Sequence, residues 1–518
     1  MNTPLFAARP MALAVTTLLS CTSLLISSTS KANELTPLVI TGQPTTSLTT
    51  ELKPDSSQRL TADTGEWLSQ QNGITTNRMG GHGLDPIIRG LGQNRLNILL
   101  DGAYVFGGCP NRMDPPTAYA PLTSYDLVTI SKGVTTLRHG AGGSGGTVVF
   151  ERQQPSFAAD DSTISGQLGS SYATNGEAVK GWGRVLAGGE KGYIRAFGEY
   201  SQAENYKDGA GRKIWSGYET SQGGASLGWT PNLDSWLEVS YEETRERDIK
   251  FAGAGMDSPT SDNKTYGIRG RYDISPLLTL SGNLNYSQVE HLMDNFSLRP
   301  KAKMQMAVPT TSDTLTGRLM AEYELGPNQF TGGFNYLENQ RSAVLTNATN
   351  NTKTAFMWPD VTQRQVGAFA EVEHILGANR RVSTGIRADY FESKADLANS
   401  KPVDGMMPAA IYNNTYGITG DLARDKWLTG AFMRFEQDLG QWQRAFVSLS
   451  RSQRMGDATE MYMARGNWVG NPDLKPETSH QADLGLLGQS QAFDYSAVVF
   501  SNQVTDYIYR DVKAGNST

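Results

Sequence analysis

The strongest constraint on the fold is a two-residue alternation that begins near Thr163 and continues through the rest of the chain. In residues 278–286, leucine and tyrosine side chains alternate with Thr279, Ser281, Asn283 and Asn285. Because successive side chains of a β-strand point to opposite faces of the sheet, this pattern predicts strands with one apolar face and one polar, uncharged face. Helical periodicity is scarce over these roughly 350 residues. The alternation therefore predicts an all-β fold for this part of the chain.

A soluble β-sandwich shows the same alternation, so further features must decide between a sandwich and a barrel. Aromatic side chains lie near the ends of the predicted strands, and tight turns alternate with long polar loops, as in transmembrane β-barrels. These aromatic residues are Trp229, Trp236, Tyr241, Tyr390, Phe391, Tyr507 and Tyr509. We therefore expect a β-barrel whose apolar face contacts membrane lipid.

The first 32 residues have the pattern of a secretory signal. Arg9 precedes an apolar stretch, and Ser30-Lys31-Ala32 fits the small-x-small cleavage rule, so the mature chain is expected to begin near Asn33. The alternative is a lipoprotein signal in which Cys21 is lipidated. In both cases Cys109 is the only free thiol of an exported protein, which calls for an explanation.

Several classes of protein are excluded or disfavoured. After the signal there is no apolar run of the roughly 20 residues that a transmembrane helix needs. The formal net charge of -6 provides no basic surface for nucleic acid. The Gly-x-Ser-x-Gly, His-Glu-x-x-His and phosphate-loop motifs do not occur. We therefore expect a protein that is neither an enzyme nor a nucleic-acid binder.

Residues 33–155 differ from the rest, because short apolar runs are broken by Gly and Pro, which predicts a compact α+β domain. Four segments of this region and one near the end of the chain are notable for their sequence and their order. They are 86–90 (PIIRG), 96–102 (LNILLDG), 126–133 (DLVTISKG), 137–146 (LRHGAGGSGG) and 470–479 (GNPDLKPETS). Together they resemble the plug and barrel signatures of TonB-dependent receptors. Residues 34–41 are similar to the TonB box of that family, with Leu38, Val39, Ile40 and Thr41 at its centre.

The resemblance implies a receptor of the Gram-negative outer membrane that imports a scarce ligand with energy supplied through the partner protein TonB. It implies a barrel of about 22 strands, wide enough to need a domain inside it. We expect a signal at 1–32, a TonB-box segment at 33–50, a plug at 51–155 and a barrel at 156–518. About 355 residues at about 24 per strand allow only about 15 strands, so the last strands are expected to be missing. Arg89 and Asp101 are candidates for charged pairs between plug and wall.

The transported ligand is suggested by two pairs of side chains. Cys109 and Met113 lie four residues apart in the plug, and Pro110 favours one helical turn that would place both sulfurs on one face. His291 and Met293 lie two apart on a predicted strand, and its alternation assigns both to the polar, lumen-facing side.

A thiolate, two thioethers and an imidazole form a soft set of ligands, which selects copper, above all Cu(I), over iron, magnesium or calcium. The Cys-x-x-x-Met and His-x-Met pair resembles the outer-membrane copper receptors of the NosA/OprC group, whose site joins plug and barrel. Copper is thus expected as the bound transport substrate. The alternatives are a siderophore, haem or cobalamin receptor of the same architecture, or, in another class, a passive porin or surface binding protein.

Other methionines could pass copper inward from solvent, although such residues more often only pack against neighbours. They are Met304, Met306, Met406, Met407, Met455, Met461 and Met463. The remaining histidines, His82, His139, His374 and His480, have no ligand spacing between them.

Overall fold

The computed structural model describes residues 48–54, 63–157, 163–232, 234–489, 494–513 and 516–517. The signal segment, Cys21 and the TonB-box residues Leu38 to Thr41 lie outside these ranges, so their predictions stand untested. No helix in the described ranges is both long and apolar enough to cross a membrane.

The described N-terminal residues, 48–54 and 63–157, form seven short strands and one short helix, and we call this part the plug. The strands are β1 (Thr49–Leu52), β2 (Ile74–Asn77), β3 (Asp85–Ile88), β4 (Leu91–Gly92), β5 (Leu96–Leu100), β6 (Leu127–Lys132) and β7 (Gly146–Glu151). The helix is Thr64–Ser69, and 3₁₀ turns occupy Gln93–Arg95, Pro116–Tyr119 and Leu122–Ser124. The helix starts after Asp63 because the Asp63 carboxylate accepts the amide hydrogen of Glu66 at 3.1 Å. The plug is thus an α+β unit, as predicted.

The plug strands form two sheets, one in the order β1-β6-β7-β5 and the other β2-β3-β4. Their core consists of fully buried large side chains such as Trp67, Tyr125 and Phe150. In the first sheet β5 and β7 run parallel, while β1, β6 and β7 pair antiparallel.

The rest of the described chain is dominated by one antiparallel sheet of fifteen strands that pair in chain order. Its strands are β8 (Thr163–Ala173), β9 (Ala178–Gly189), β10 (Gly192–Ala203), β11 (Tyr218–Trp229), β12 (Trp236–Ile249), β13 (Asp257–Ser275), β14 (Leu278–Asp294), β15 (Met306–Leu325), β16 (Asn328–Asn347), β17 (Thr352–Ile375), β18 (Arg380–Ala395), β19 (Arg424–Asp438), β20 (Gln443–Arg454), β23 (Glu477–Gln489) and β24 (Asp494–Thr505). Smaller elements are the helices Pro408–Tyr416 and Ala458–Tyr462 and the strands β21 (Ala464–Arg465), β22 (Trp468–Val469), β25 (Val512–Lys513) and β26 (Asn516–Ser517). The family value of about 22 strands stays a prediction.

The large sheet has the two faces that the alternation predicts. On β14, Leu284 and Tyr286 are exposed, whereas Asn285 and Ser287 between and after them are buried. Exposed apolar side chains recur on neighbouring strands, including Ile268 and Leu319. An apolar outer face with a polar inner face is the arrangement of a transmembrane barrel.

The sheet curves around the plug, because its strands contact the plug one after another. Plug contacts are made by Glu199 on β10, Gln222 on β11, Glu242 on β12, Arg269 on β13, Asn283 on β14, Thr316 on β15, Asn335 on β16, Glu371 on β17, Arg387 on β18 and Asp483 on β23. All of these contacts are polar. The plug therefore lies against the polar inner face of the sheet.

The plug segments 86–90 and 96–102 end in tight turns. The first residue of each turn contacts the fifteen-stranded sheet, which we call the wall. Residues 89–90 and 101–102 have positive φ, with Arg89 at 53°, Gly90 at 79°, Asp101 at 48° and Gly102 at 85°. Two successive positive φ values define the type I′ hairpin turn, which explains the glycine at each second position. The turns direct Arg89 to Asp483, 2.7 Å away, and Asp101 to Arg269, also at 2.7 Å. The charged pairing between plug and wall is confirmed at both positions.

Candidate metal site

The plug contributes the loop from Gly107 to Asp114, which is folded around the carboxylate of Asp114. This carboxylate accepts the amide hydrogens of Gly108 at 2.7 Å and Cys109 at 2.9 Å. The amide of Arg112 donates to the carbonyl of Cys109 at 2.9 Å, which closes a β-turn with Pro110 at its second position. The predicted helical turn is wrong, because Arg112 adopts φ 53° and so ends any helical geometry after one hydrogen bond.

The wall contributes strand β14, whose inner face meets this loop. His291 and Met293 are buried, at 3% and 5% exposure, while Glu290 is exposed. The predicted alternation therefore holds at the C-terminal end of β14 as well as in its middle. The wall backbone is held in register there, since His291 pairs with Thr310 and the Thr310 hydroxyl donates to the His291 carbonyl at 3.0 Å.

Plug and wall sulfurs are in direct contact at this interface. The Sγ of Cys109 lies 3.2 Å from the Sδ of Met293. Met113 is also buried and belongs to the same apolar cluster as both of them. The structure thus places the Cys109 thiol against the Met293 thioether, buries Met113 in the same cluster, and places His291 on the same face of β14 as Met293.

The His291 ring is buried without a hydrogen-bond partner. Its side chain is 1% exposed, and neither Nδ1 nor Nε2 has a partner in the described part of the chain. The nearest charged group is the Asp114 carboxylate, with Oδ2 3.5 Å from Nδ1. A buried imidazole without a hydrogen bond is costly, and Asp114 is the polar group nearest to it.

The surroundings of Cys109 disfavour its thiolate form. Burial raises the pKa of the thiol well above the usual value, and the negative charge of Asp114 raises the pKa further. A metal that binds here must displace the thiol proton, because the thiolate is the ligand.

Sequence reasoning missed Asp114 and Tyr119. The Tyr119 hydroxyl donates to Asp114 Oδ2 at 2.8 Å and lies 3.1 Å from the hydroxyl of Ser261 on β13. The only signal in the sequence was an acidic residue between Met113 and a pair of prolines, in a loop otherwise rich in glycine. Within the described ranges, no three His, Cys, Asp or Glu residues form a metal-binding group, so the site depends on its thioethers.

The other methionines divide into two groups. Met455, Met461 and Met463 are buried in the cluster that contains Cys109, whereas Met304 and Met406 are exposed. Met306 and Met407 are half-buried. A relay role for any of them stays a prediction.

The remaining histidines have other neighbours. His82 lies 3.0 Å from Glu246, His139 contacts Arg318, and His374 contacts Asn328. His480 is exposed on β23. None of these four histidines belongs to the apolar cluster that contains Cys109, Met113 and Met293.

Known proteins share both parts of this architecture. The chain is similar in structure to the copper transporter OprC, with a TM-score of 0.80 and 27% identity over 91% of this chain and 75% of that one. It shares its fold with the hemophore receptor HasR of Serratia marcescens, solved with its hemophore HasA and heme, at a TM-score of 0.71 and 18% identity over 91% of this chain and 76% of that one. In sequence it is 23% identical to a hemin receptor of Yersinia pestis over 88% of this chain and 67% of that protein.

Two family models cover most of the chain. Residues 41–147 match the TonB-dependent receptor plug domain, and residues 197–518 match the β-barrel of TonB-dependent receptors. The chain therefore belongs to the TonB-dependent receptors, β-barrel proteins of the Gram-negative outer membrane that enclose a plug domain.

Proposed function

We propose that this receptor imports copper and binds it between Cys109 and Met113 of the plug and His291 and Met293 of β14. The observation that carries the proposal is the 3.2 Å contact between the sulfurs of Cys109 and Met293, next to the unpaired His291 ring. A buried site that contains two sulfur atoms and an imidazole favours a soft metal ion.

The ligand types favour Cu(I) among the transition metals. Thioethers bind zinc and hard cations poorly, whereas thiolate, thioether and imidazole all suit copper in its lower oxidation state. The likeness to OprC, which is named as a copper transporter, supports the same substrate here.

The division of the ligands between two parts of the protein provides a mechanism of release. Cys109 and Met113 belong to the plug, whereas His291 and Met293 belong to the wall. A movement of the plug driven by TonB separates the two halves of the coordination sphere. Copper then keeps only two of its four ligands and is lost more readily toward the interior.

A haem or siderophore substrate is the second candidate, supported by the sequence similarity to a hemin receptor. A passive porin is disfavoured, because the plug contacts the inner face of the sheet on strand after strand. Metal analysis separates these candidates, since a haem or siderophore receptor would be purified without copper.

The test is the copper content of the receptor purified in detergent from copper-fed cells. We expect about one copper per chain in the wild type, and Cys109→Ala should lose most of it. Met433→Ala is the matched control, because it removes the thioether of an exposed methionine on β19. Equal copper in wild type and Cys109→Ala would refute the site, and a haem absorption band without copper would support the second candidate.

A further inference from the structure

Asp114 is a buried carboxylate at the boundary between plug and wall, with an unusual set of partners. It is 2% exposed, and no Lys or Arg of the described residues lies within 4 Å of it. Its Oδ1 accepts from Cys109, and its Oδ2 accepts from Gly108 and from the Tyr119 hydroxyl. Both oxygens are therefore engaged by the protein, which leaves them poorly available as direct metal ligands.

The same Oδ2 atom lies near the Nδ1 atom of His291. The Nδ1 to Oδ2 distance of 3.5 Å is slightly longer than a hydrogen bond, so a small ring movement is enough to form one. A neutral imidazole carries a proton on one nitrogen and a lone pair on the other. When Asp114 accepts the Nδ1 proton, the lone pair is on Nε2.

The opposite tautomer has no comparable support. A proton on Nε2 would need an acceptor near that atom, and the described part of the structure provides none. Histidines that bind metals usually donate their other ring proton to a carboxylate or a carbonyl group. Asp114 is the group in that position here.

We infer that Asp114 is the positioning residue of this site: it accepts the Nδ1 proton of His291 and so directs the Nε2 lone pair to copper. This inference rests on the proposed function and identifies what orients its barrel-side nitrogen ligand. The same carboxylate accepts the amide hydrogen of Cys109 through Oδ1, a contact that the side-chain oxygen of an asparagine can retain.

The experiment is a double-mutant cycle on the full-length, copper-loaded receptor in detergent. Copper dissociation constants are measured by competition with a Cu(I)-selective chelator for the wild type, Asp114→Asn, His291→Ala and the double variant. X-ray absorption at the copper edge reports whether an imidazole is bound. Asp126→Asn is the control, because Asp126 is also a plug carboxylate that accepts a backbone amide hydrogen, but it is only half-buried and contacts Arg184 instead.

We expect Asp114→Asn to weaken copper binding by roughly 10- to 100-fold, the usual effect of losing such a partner. The double variant should bind no more weakly than His291→Ala alone, and Asp114→Asn should lose the imidazole signal while keeping the sulfur signal. Asp126→Asn should bind copper as the wild type does.

The inference would be overturned if the dissociation constant of the double variant rose by the product of the two single-variant effects. It would also be overturned if the imidazole signal survived in Asp114→Asn. If Asp114→Asn does not fold, a crystal structure of the copper-loaded wild type decides the matter. Copper on Nε2 supports the inference and copper on Nδ1 overturns it. A wild type that binds no copper refutes the proposed function instead, which is a separate result.

Discussion

The backbone of Gly108 in the plug touches the wall at His291. A methyl group added at Gly108 would lie 2.7 Å from the Cβ of His291 and 3.0 Å from the Thr310 hydroxyl oxygen. The Cβ of His291 is fixed to the strand backbone and cannot swing aside. The absence of a side chain at Gly108 therefore sets how closely the loop from Gly107 to Asp114 approaches the wall.

We predict that Gly108→Ala displaces the loop and lowers copper occupancy while the barrel still folds. Overpacking of this kind costs about 1–3 kcal/mol, which loosens the loop without unfolding the sheet. Copper content and heat-modifiable gel mobility are the measurements. Gly255→Ala is the control, because a methyl group there meets nothing within 4 Å. Full copper occupancy in Gly108→Ala would show that the close approach is unimportant.

The alternation on β14 predicts which substitutions affect copper. His291→Ala and Met293→Ala should each lower copper occupancy, because both side chains are buried on the inner face. Leu292→Ala should leave it unchanged, since the side chain between them points the other way. Metal content is measured on protein of confirmed folded mobility. A loss of copper in Leu292→Ala but not in His291→Ala would mean that the strand register is wrong by one residue.

Deletion of residues 35–41 should separate transport from binding. The segment precedes the plug and resembles a TonB box, whereas the four candidate ligands lie elsewhere. We expect copper uptake by cells to be abolished and copper binding by the purified receptor to be unchanged. Uptake that survives this deletion, or survives the loss of TonB, would indicate a passive pore.

The carboxylate of Asp101 should make the plug sensitive to acid. Burial by itself would raise its pKa, but Arg269 and Arg152 outweigh burial and lower the pKa below its usual value. The stabilisation is therefore present above the unfolded pKa of about 3.9 and is lost as the pH falls through the lower folded value.

Asp101→Asn should destabilise the plug by about 1–3 kcal/mol at pH 7, because Arg152 and Arg269 each lose one charged partner but keep Glu242 and Glu238. Calorimetry from pH 7 to pH 3 should show this difference narrowing below about pH 4. The control Asp396→Asn breaks an exposed pair with Lys394 and should change stability by less than about 1 kcal/mol. A stability difference between the wild type and Asp101→Asn that does not vary with pH would contradict the role given to the Asp101 charge.

The sequence was sufficient to predict features that depend on local periodicity. The inward direction of His291 and Met293 follows from the alternation of β14, which needs no knowledge of distant residues. The Arg89-Gly90 and Asp101-Gly102 turns are also local features, each with two positive φ values, but neither turn was predicted.

The part that could not be predicted depends on long-range contacts and on exceptions to local preference. Pro110 favours a helical turn, yet the positive φ of Arg112 and the Asp114 carboxylate produce a β-turn instead. The burial of Met461 and Met463 arises from packing with residues far away in the chain. The burial of the methionines has no short-range signal, whereas Pro110-Asn111 is itself a local signal for a β-turn.

The order of strands in the first plug sheet has a mechanical consequence. β1 is the edge strand and the first described strand of the chain, and only four residue pairs join it to β6. A tension applied from the N-terminal side loads β1 before any other plug strand. Stripping β1 away breaks those four pairs and the side-chain contact between Thr49 and Ser131, and it leaves β6, β7 and β5 joined as a three-stranded remnant inside the sheet.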